Sequence, residues 1–406
     1  MLAFRNNNPG REDRMRTDPL RATTSEEVVA RARALVPGVR TRAAAAEEAR
    51  RIPPESVAEF IDAGLARILV PTRFGGYGLG LDTWFEVVRA ISAADASHGW
   101  CASLLIHHPH MVGQFSEEAQ QAVWTEGPDV PIAASVLPTT HVTRDRDGFR
   151  ISGDQSAFAS GVDHCTWVMV GGFLHEGPAP DWLLFLIPPG HYSVRDTWLT
   201  SGMRATGSNT IVTDNVFAPA THMVRVEDLR LGKGPGGAVN KSPIFRAPFF
   251  SYSPLTFVSA MLGAAQGAYA YFRDWSKDRK ARRGVAVAQL TSLQVAMARA
   301  AADLDAAELL LRRAALAPHG PEPMSPELLA RSIRDFTRAA ELTLGAIDTL
   351  MQLSGSAGFA ATNPIQRAWR DLHFAGSHVA LSPENNYSHF GRVELGLGRD
   401  PTQPFY

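Results

Sequence analysis

The spacing of hydrophobic residues changes twice along this chain of 406 residues. From Thr24 to about residue 125, apolar residues recur at helical intervals, and Thr24 or Ser25 can cap the first helix. Between about residues 131 and 226 they fall in short alternating or β-branched runs, separated by Gly, Pro and Asp-Gly turns. Long Ala- and Leu-rich stretches with helical spacing then continue towards the C-terminus. This order of helices, strands and helices predicts an α+β fold.

The same changes predict three domains behind a disordered tail. The predicted boundaries are a polar, Arg-rich tail at residues 1–24, an N-terminal α-helical domain at 25–127, a β-domain at 128–235 and a C-terminal helical bundle at 236–406. The β-domain should be a small antiparallel sheet or barrel. Wide apolar faces on the last helices indicate an oligomer.

Composition excludes several classes of partner. A net charge of −1 provides no field that would attract nucleic acid or an acidic membrane surface. The N-terminus lacks the apolar segment of a secretory signal, and no apolar run is long enough to cross a membrane. We therefore expect a cytoplasmic protein. The two cysteines, Cys101 and Cys165, are too few for a disulfide framework and suit two small buried residues.

Three segments carry a resemblance to a known family. They are GLARILVPTRFGGYGLGLDTW, SGDQSAFASGVDHCTWVMVGG and DTWLTSGMRATGSNTIVTDNVFAP. In this order they resemble the acyl-CoA dehydrogenase superfamily, and in particular its flavin-dependent monooxygenase branch, which includes the oxygenase components of 4-hydroxyphenylacetate hydroxylase and steroid-ring phenol hydroxylase. The resemblance covers roughly residues 30 to 395. It implies an N-terminal helical domain, a small central antiparallel β-barrel and a C-terminal four-helix bundle.

The residues argue against the dehydrogenase activity found on this fold. An acyl-CoA dehydrogenase needs a carboxylate base that removes a proton from carbon, placed near the C-terminus or on the first helix after the barrel. Residues 229–273 contain no Asp or Glu. The C-terminal stretch RDLHFAGSHVALSPENNY has His378 where that carboxylate would lie, and Glu384 is six positions out of register. The base for dehydrogenation is therefore missing.

The resemblance instead implies a reduced-flavin-dependent monooxygenase. It would hydroxylate a phenolic, indolic or polycyclic aromatic substrate through a C4a-hydroperoxyflavin, with reduced FAD or FMN and O₂. No GxGxxG fingerprint for NAD(P)H follows a strand, so the reduced flavin should come from a separate NAD(P)H-flavin reductase. We also expect a homotetramer or a homodimer.

Histidines are the candidate catalytic groups. His378 is the candidate base, because an imidazole that titrates near neutral pH can deprotonate a phenol or an indole. His108 in GWCASLLIHHPH matches a family histidine close to the substrate and the peroxide, and His107 and His110 compete for this role. A metal site built from His107, His108 and His110 lacks a carboxylate or cysteine partner at a suitable spacing, so we expect no metal.

Two serines match the flavin pocket of the family. Ser160 in AFASG would lie by the flavin N5 or the peroxide, and Ser135 in IAASV on the substrate or C4a side. Phe158 could stack on the isoalloxazine ring. Relatives often carry N-W-S-S-G or W-x-F-S-S-G at this point, so this chain lacks the N–H of a tryptophan there.

Further candidate flavin contacts lie in two other segments. GMRATGSN, residues 202–209, matches a GLRGTGS motif that lies over the flavin. Its candidate residues are Arg204, Thr206 and Ser208. The second segment lies near the position where the superfamily binds the flavin phosphate of a neighbouring subunit. Its candidates are Arg279, favoured over Arg282 and Arg283, and Gln294.

Other functions stay open at this point. The same flavin chemistry attacks amines and thioethers, so an N-hydroxylase or a sulfur monooxygenase is the first alternative. An acyl-CoA dehydrogenase is the second, and a flavin-free scaffold that keeps only the fold is the third. Tight binding of reduced flavin would identify an oxygenase. Copurification with oxidised FAD would identify a dehydrogenase, and a scaffold would show neither property.

Overall fold

The computed structural model describes residues 23–154, 158–280, 284–320 and 323–400. The predicted tail at residues 1–24 lies outside these ranges except for its last two positions. The observed order of helices, strands and helices confirms the predicted α+β class, whereas the exact domain boundaries stay predictions. No helix in these ranges is both long enough and apolar enough to pass through a bilayer.

Five helices make up the N-terminal part. They are α1 (Ser25–Ala49), α2 (Pro54–Asp62), α3 (Leu81–Ser92), α4 (Ala96–Val112) and α5 (Glu117–Trp124). Thr24 caps α1 as predicted, because its hydroxyl accepts the Glu27 N–H (3.3 Å) while the Glu27 carboxylate accepts the Thr24 N–H (3.2 Å). Asp95 caps α4 by accepting the N–H of His98 (3.1 Å). Helix α4 is buried along its whole length and is the central helix of this part.

Among the described residues, seven strands form one mixed sheet. They are β1 (Ile132–Asp145), β2 (Gly148–Asp154), β3 (Trp167–Leu174), β4 (Asp181–Ile187), β5 (Ser193–Arg195), β6 (Thr210–Pro219) and β7 (Met223–Arg225). Their order in space is β5-β6-β2-β1-β3-β4-β7. The prediction of a purely antiparallel sheet is wrong for β1 and β3, which run parallel because the chain re-enters the sheet beside the start of β1, with Ile132 opposite Trp167. Closure into a barrel is not confirmed, since β5 and β7 end the sheet within the described residues.

The sheet is covered on both faces. Along β4, Leu183, Phe185 and Ile187 belong to a core enclosed by the β-part itself, whereas Leu184 and Leu186 belong to the large helical core. The apolar run in β4 therefore lacks the alternation of a half-exposed strand, because both of its faces are buried.

The C-terminal part is the predicted helical bundle. After the short α6 (Val226–Arg230) come α7 (Leu255–Lys277), α8 (Thr291–Leu316), α9 (Pro326–Ser354), α10 (Pro364–Gly376) and α11 (Pro383–Glu394). Helices α7 to α10 pack on one another, and α11 lies against α9. Helix α7 also packs against α3 and α4, so it joins the two helical parts of the chain.

Both cysteines are free thiols. Cys101 is buried in α4, whereas Cys165 is half-buried just before β3. Burial raises the pKa of both thiols, so neither is a ready nucleophile.

Helices α3 and α7 approach each other too closely for a side chain to fit between them. A Cβ atom on Gly263 would overlap the carbonyl oxygen of Arg89, and one on Gly267 would overlap that of Ala93. Gly345 in α9, by contrast, faces open space. The packing of α7 against α3 therefore depends on glycine at both α7 positions.

We expect Gly267→Ala to lower the free energy of unfolding by about 2 kcal/mol, because the backbones must separate to admit the methyl group. The matched change Gly345→Ala should leave stability unchanged or raise it by up to about 1 kcal/mol through helix propensity. Urea unfolding followed by circular dichroism measures both values. Equal effects of the two changes would contradict the close approach of α3 and α7.

Candidate active site

A cavity of about 370 Å³ lies between α4, β1, the start of α7 and the chain after α10. Its aromatic lining residues are Trp100, Phe158, Trp182, Trp198, Phe249, Phe250, Phe257 and Phe374. Its polar lining residues are His107, His108, Ser135, Ser160, Thr206, Ser208, Ser253, Ser377 and His378. The structure thus brings the four predicted catalytic residues, His378, His108, Ser160 and Ser135, to one cavity.

No Asp, Glu, Lys or Arg lines this cavity among the described residues. Burial lowers the pKa of His108 and of His378 to about 4 and the pKa of His107 well below its usual value. All three imidazoles are therefore neutral near pH 7. The position of the single ring proton of each is then set by its hydrogen-bond partner.

His378 follows α10, which ends at Gly376, and begins a short turn at residues 379–381. Its Nδ1 accepts the backbone N–H of Ala380 (3.2 Å). In the neutral ring the proton is then on Nε2, so the nitrogen left for a ligand is a donor. The ring lies against Phe257, with 3.8 Å between the ring centroids. His373, five residues earlier, instead places its Nε2 2.8 Å from Asp348 Oδ1, outside the cavity lining.

His108 has the opposite arrangement of ring nitrogens. Its Nδ1 lies 2.7 Å from the carbonyl oxygen of Ile132, to which only a protonated nitrogen can donate. In the neutral ring Nε2 is therefore unprotonated and can accept a hydrogen bond or a proton. One of the two imidazoles thus offers a donor and the other an acceptor.

Two of the three neighbouring histidines, His107 and His108, line the cavity, and His110 does not. The Nδ1 of His107 lies 3.1 Å from the hydroxyl of Thr256. His110 is buried outside the lining, where its Nε2 donates to the Ile244 carbonyl (3.1 Å). The four consecutive positions 107–110 remain helical despite Pro109.

A chain of hydrogen bonds runs along one side of the cavity. The indole N–H of Trp100 donates to Ser160 Oγ (3.1 Å), Ser160 Oγ lies 2.7 Å from Ser208 Oγ, and Ser208 Oγ lies 2.7 Å from Thr206 Oγ1. Thr206 then donates to the carbonyl of Met203 (2.8 Å). All three hydroxyl-bearing residues are buried.

The hydrogen bond from Thr206 to the Met203 carbonyl determines which hydroxyl donates at each step of the hydrogen-bond chain. The Thr206 proton is committed to the Met203 carbonyl, so Ser208 must donate to Thr206 and Ser160 must donate to Ser208. Ser160 also accepts from Trp100, which leaves one lone pair and no proton for a ligand. In this arrangement Ser160 is an acceptor towards the cavity.

Two loops hold the hydroxyls in place. The N–H of Phe158 donates to the Ser208 carbonyl (3.0 Å) and the N–H of Gly161 to the Thr206 carbonyl (2.8 Å), so the two segments are paired through their backbones. Met203, at φ 52°, donates its N–H to Asp371 Oδ1 (2.6 Å). Burial raises the pKa of Asp371, which anchors this loop from α10.

Sequence reasoning missed Trp100 and Asp371. The AFASG segment has no tryptophan of its own, and Trp100 of α4 supplies an indole N–H to Ser160 from 60 residues away in sequence. Neither residue belongs to a local motif with Ser160 or with the 202–209 segment. Both lie in segments that carry candidate histidines, GWCASLLIHHPH and RDLHFAGSHVALSPENNY, but the sequence does not link them to Ser160 or to Met203.

Three predicted flavin contacts lie outside the cavity lining. Arg204 donates to the carbonyls of Glu47 (3.3 Å) and Thr200 (3.1 Å). Arg279 lies over the ring of Trp275, 3.8 Å from its centroid, and Gln294 is exposed. Arg282 and Arg283 are not among the described residues. The flavin roles of Arg204, Arg279 and Gln294 stay predictions.

Comparison with known proteins gives matches over nearly the whole chain. The models of the acyl-CoA dehydrogenase N-terminal domain and C-terminal domain match residues 22–127 and 255–383. The flavin-dependent monooxygenase oxygenase subunit HsaA of Mycobacterium tuberculosis is 34% identical over 381 residues, which cover 92% of this chain and 96% of that protein. The oxygenase component of the FADH2-dependent resorcinol hydroxylase of Rhizobium sp. is 34% identical over 378 residues, covering 88% and 91%. The crystal structure of 3-HSA hydroxylase from Rhodococcus sp. RHA1 has a TM-score of 0.87 at 34% identity, over 93% of this chain and 98% of that one.

The chain belongs to the flavin-dependent monooxygenase oxygenase subunits. This confirms the resemblance and the acyl-CoA dehydrogenase-like fold that the sequence implied. The position of Glu384 agrees with it, because this carboxylate is exposed on α11 and does not line the cavity.

The described residues of this oxygenase subunit fit the ring of a reduced flavin. N5 of a reduced isoalloxazine carries a hydrogen, and the lone pair that Ser160 presents to the cavity would suit such a donor. Phe158 is 55% exposed although it is a large apolar residue, and it holds a positive φ of 84°. Its ring adjoins that of Trp198, with 5.8 Å between the centroids. An exposed aromatic face beside an ordered acceptor suits a flat ring that carries an N–H.

We expect Ser208→Ala to weaken the preference of this oxygenase subunit for reduced over oxidised flavin by roughly tenfold, the effect of about one hydrogen bond. Without Ser208 Oγ, the Ser160 proton loses its acceptor and can turn towards the unprotonated N5 of oxidised flavin. Dissociation constants of oxidised flavin and of anaerobically reduced flavin give the ratio.

Ser377→Ala is the matched control for that change. Ser377 lines the same cavity, but its hydroxyl donates to the Phe374 carbonyl (2.6 Å) and lies outside the chain. Its substitution should leave the ratio unchanged. An unaltered ratio in Ser208→Ala, or an equal loss in Ser377→Ala, would rule out the ordered hydroxyl chain as the source of the preference.

Proposed function

We propose that this oxygenase subunit hydroxylates a phenolic, indolic or polycyclic aromatic substrate with O₂ and reduced FAD or FMN. A separate NAD(P)H-flavin reductase supplies the reduced flavin. The name of the Rhizobium relative supports this, since it describes the oxygenase component of a resorcinol hydroxylase. The observation that carries the proposal is the cavity, which is lined by aromatic rings and neutral imidazoles and, among the described residues, by no carboxylate. When bound, the reduced flavin supplies the electrons that activate O₂.

The two imidazoles divide the handling of the substrate proton. His108 accepts the hydroxyl proton of a phenol at Nε2, and the Ile132 carbonyl stabilises the imidazolium through Nδ1–H. With a pKa of about 4, His108 is too weak to deprotonate a phenol at rest, so it takes the proton only as attack on the ring makes that hydroxyl acidic. His378 donates from Nε2 to the same substrate oxygen or to the activated oxygen. The proposed base is therefore His108, whereas the sequence indicated His378 for this role.

The serines and Phe158 orient the cofactor in this proposal. Ser160 accepts a hydrogen bond from the flavin, Thr206 and Ser208 order the Ser160 proton, and Phe158 covers the ring. Ser135 lines the substrate side from β1. Since these groups are neutral, they can exclude water without burying an unpaired charge.

The imidazole pair favours oxygen transfer to the carbon of a hydroxylated ring over the other reactions on this fold. Dehydrogenation needs a carboxylate over the substrate, and none lines the cavity among the described residues. Oxidation of a thioether uses a sulfur lone pair and releases no substrate proton, and N-hydroxylation of an amine releases an N–H proton. Neither reaction starts from a substrate hydroxyl group. The acceptor at His108 therefore points to a phenol-like substrate.

We also propose that the enzyme is a homodimer or homotetramer and that it is located in the cytoplasm. Three apolar residues of α8, Val295, Leu309 and Leu316, are 46%, 69% and 56% exposed in the single chain. Exposed apolar residues on one long helix are typical of a surface that a second copy covers.

The proposed function is tested by supplying reduced flavin and ¹⁸O₂ to the enzyme with a panel of phenols and indoles. We expect one labelled oxygen atom in the product of at least one of them. His108→Ala should lower product formation about 100-fold while reduced flavin is still consumed and H₂O₂ is released, because only the proton transfer is lost. His378→Ala should also divert flavin oxidation to H₂O₂.

His373→Ala is the matched control, because this imidazole lies on α10 outside the cavity lining. It should leave the ratio of product to flavin consumed unchanged. Absence of labelled product from every phenol and indole would refute the proposed function. Unchanged coupling in His108→Ala would remove that residue from the mechanism.

A further inference from the structure

We infer that this site selects electrically neutral aromatic substrates and rejects rings that carry a carboxylate. The inference rests on the proposed function and adds the charge of the substrate to it. It comes from the groups that line the cavity and from the partners of three arginines on α10 and in the 202–209 segment.

Three arginines on α10 and in the 202–209 segment already have ion-pair or hydrogen-bond partners outside the cavity. Arg370 of α10 pairs with Glu47 (2.6 Å) and donates to the carbonyl of Ser201. Arg367 lies 3.4 Å from Asp95, and Arg204 donates to two backbone carbonyls. None of the three lines the cavity. A substrate carboxylate would therefore meet no cation among the described residues.

The polar groups that remain for a substrate are neutral and of mixed polarity. His378 offers an N–H, and Ser253 lines the cavity with a hydroxyl. His108 offers a lone pair, which repels an anion. To become cationic, an imidazole of the cavity would have to take up a proton, although burial lowers the pKa of His108 and His378 to about 4 and that of His107 well below its usual value. An ionised carboxylate in such a cavity would lose its hydration and gain no charged partner, which is costly.

The apolar walls suit a flat, uncharged ring system. Phe249 and Phe250 stand edge to face, with 5.2 Å between their centroids, and Phe257 lies on the other side against His378. The indole N–H of Trp182 is used by the Val136 carbonyl (3.0 Å), so it presents mainly its ring. Aromatic stacking together with a few neutral donors and acceptors matches a phenol or a hydroxylated polycyclic ring.

Matched pairs of acid and amide test the inference by binding. The pairs are 4-hydroxyphenylacetate with 4-hydroxyphenylacetamide, and indole-3-acetate with indole-3-acetamide, which differ in charge but hardly in shape. Dissociation constants are measured anaerobically at pH 7.5 on the enzyme with reduced flavin bound. We expect each amide to bind about 100-fold more tightly than its acid. Equal or tighter binding of the acids, or no binding of any of the four, would overturn the inference.

A variant that adds a cation sharpens the comparison. Leu137 of β1 lines the cavity and is half-buried, so an arginine there can keep part of its side chain in solvent. Leu137→Arg should reduce the amide-to-acid ratio at least tenfold, whereas Leu137→Gln, which is polar but uncharged, should leave the ratio as in the wild type. An equal reduction in both variants would show that charge does not set the selectivity and would overturn the inference.

Hydroxylation of the four compounds and of neutral phenols is measured separately. Failure to hydroxylate any phenol or indole would refute the proposed function, while the binding ratios would still decide the preference for neutral ligands. Hydroxylation of the acids as efficiently as of the amides would refute the preference alone. The two failures are thus distinguishable.

Discussion

The active cavity contains polar groups but, among the described residues, no charged side chain to compensate a buried charge. This constraint keeps its imidazoles neutral, because protonation would place an unpaired cation in an apolar environment. A neutral imidazole has one proton, and its position follows from the partner of the other nitrogen. At His108 that partner is the carbonyl of Ile132, and at His378 it is the N–H of Ala380. Two backbone groups thus determine which ring accepts and which donates.

The same principle orders the hydroxyls. The carbonyl of Met203 takes the Thr206 proton, and the order of donors follows back to Ser160 and Trp100. Its members come from α4, the loop before β3 and the loop before β6, so the hydrogen-bond chain exists only when these three parts are assembled. The carboxylate of Asp371 in α10 accepts the N–H of Met203, the residue whose carbonyl takes the Thr206 proton. Folding therefore produces a hydrogen-bond acceptor at the cavity wall without a formal charge.

The sequence predicted the class of fold and most members of the site, but not their roles. Motifs identified His378, His108 and Ser160 because each lies in a short segment that resembles relatives. The direction of their protons could not be read, since it depends on backbone partners far away in sequence, such as Ile132, or on local backbone geometry after α10. Trp100 was missed because it lies on a helix that is buried all round and gives no periodic signal. The parallel pair in the sheet was missed because alternation of residues does not encode strand direction.

The proposed division of proton handling depends most directly on the opposite tautomers of His108 and His378. Nitrogen-15 NMR of the enzyme labelled at histidine identifies them, with the signals assigned from His108→Gln and His378→Gln. At pH 6.5 we expect both rings to be neutral, with the proton of His108 on Nδ1 and that of His378 on Nε2. Shifts that show the same tautomer in both rings, or a protonated imidazolium at either position, would contradict the account.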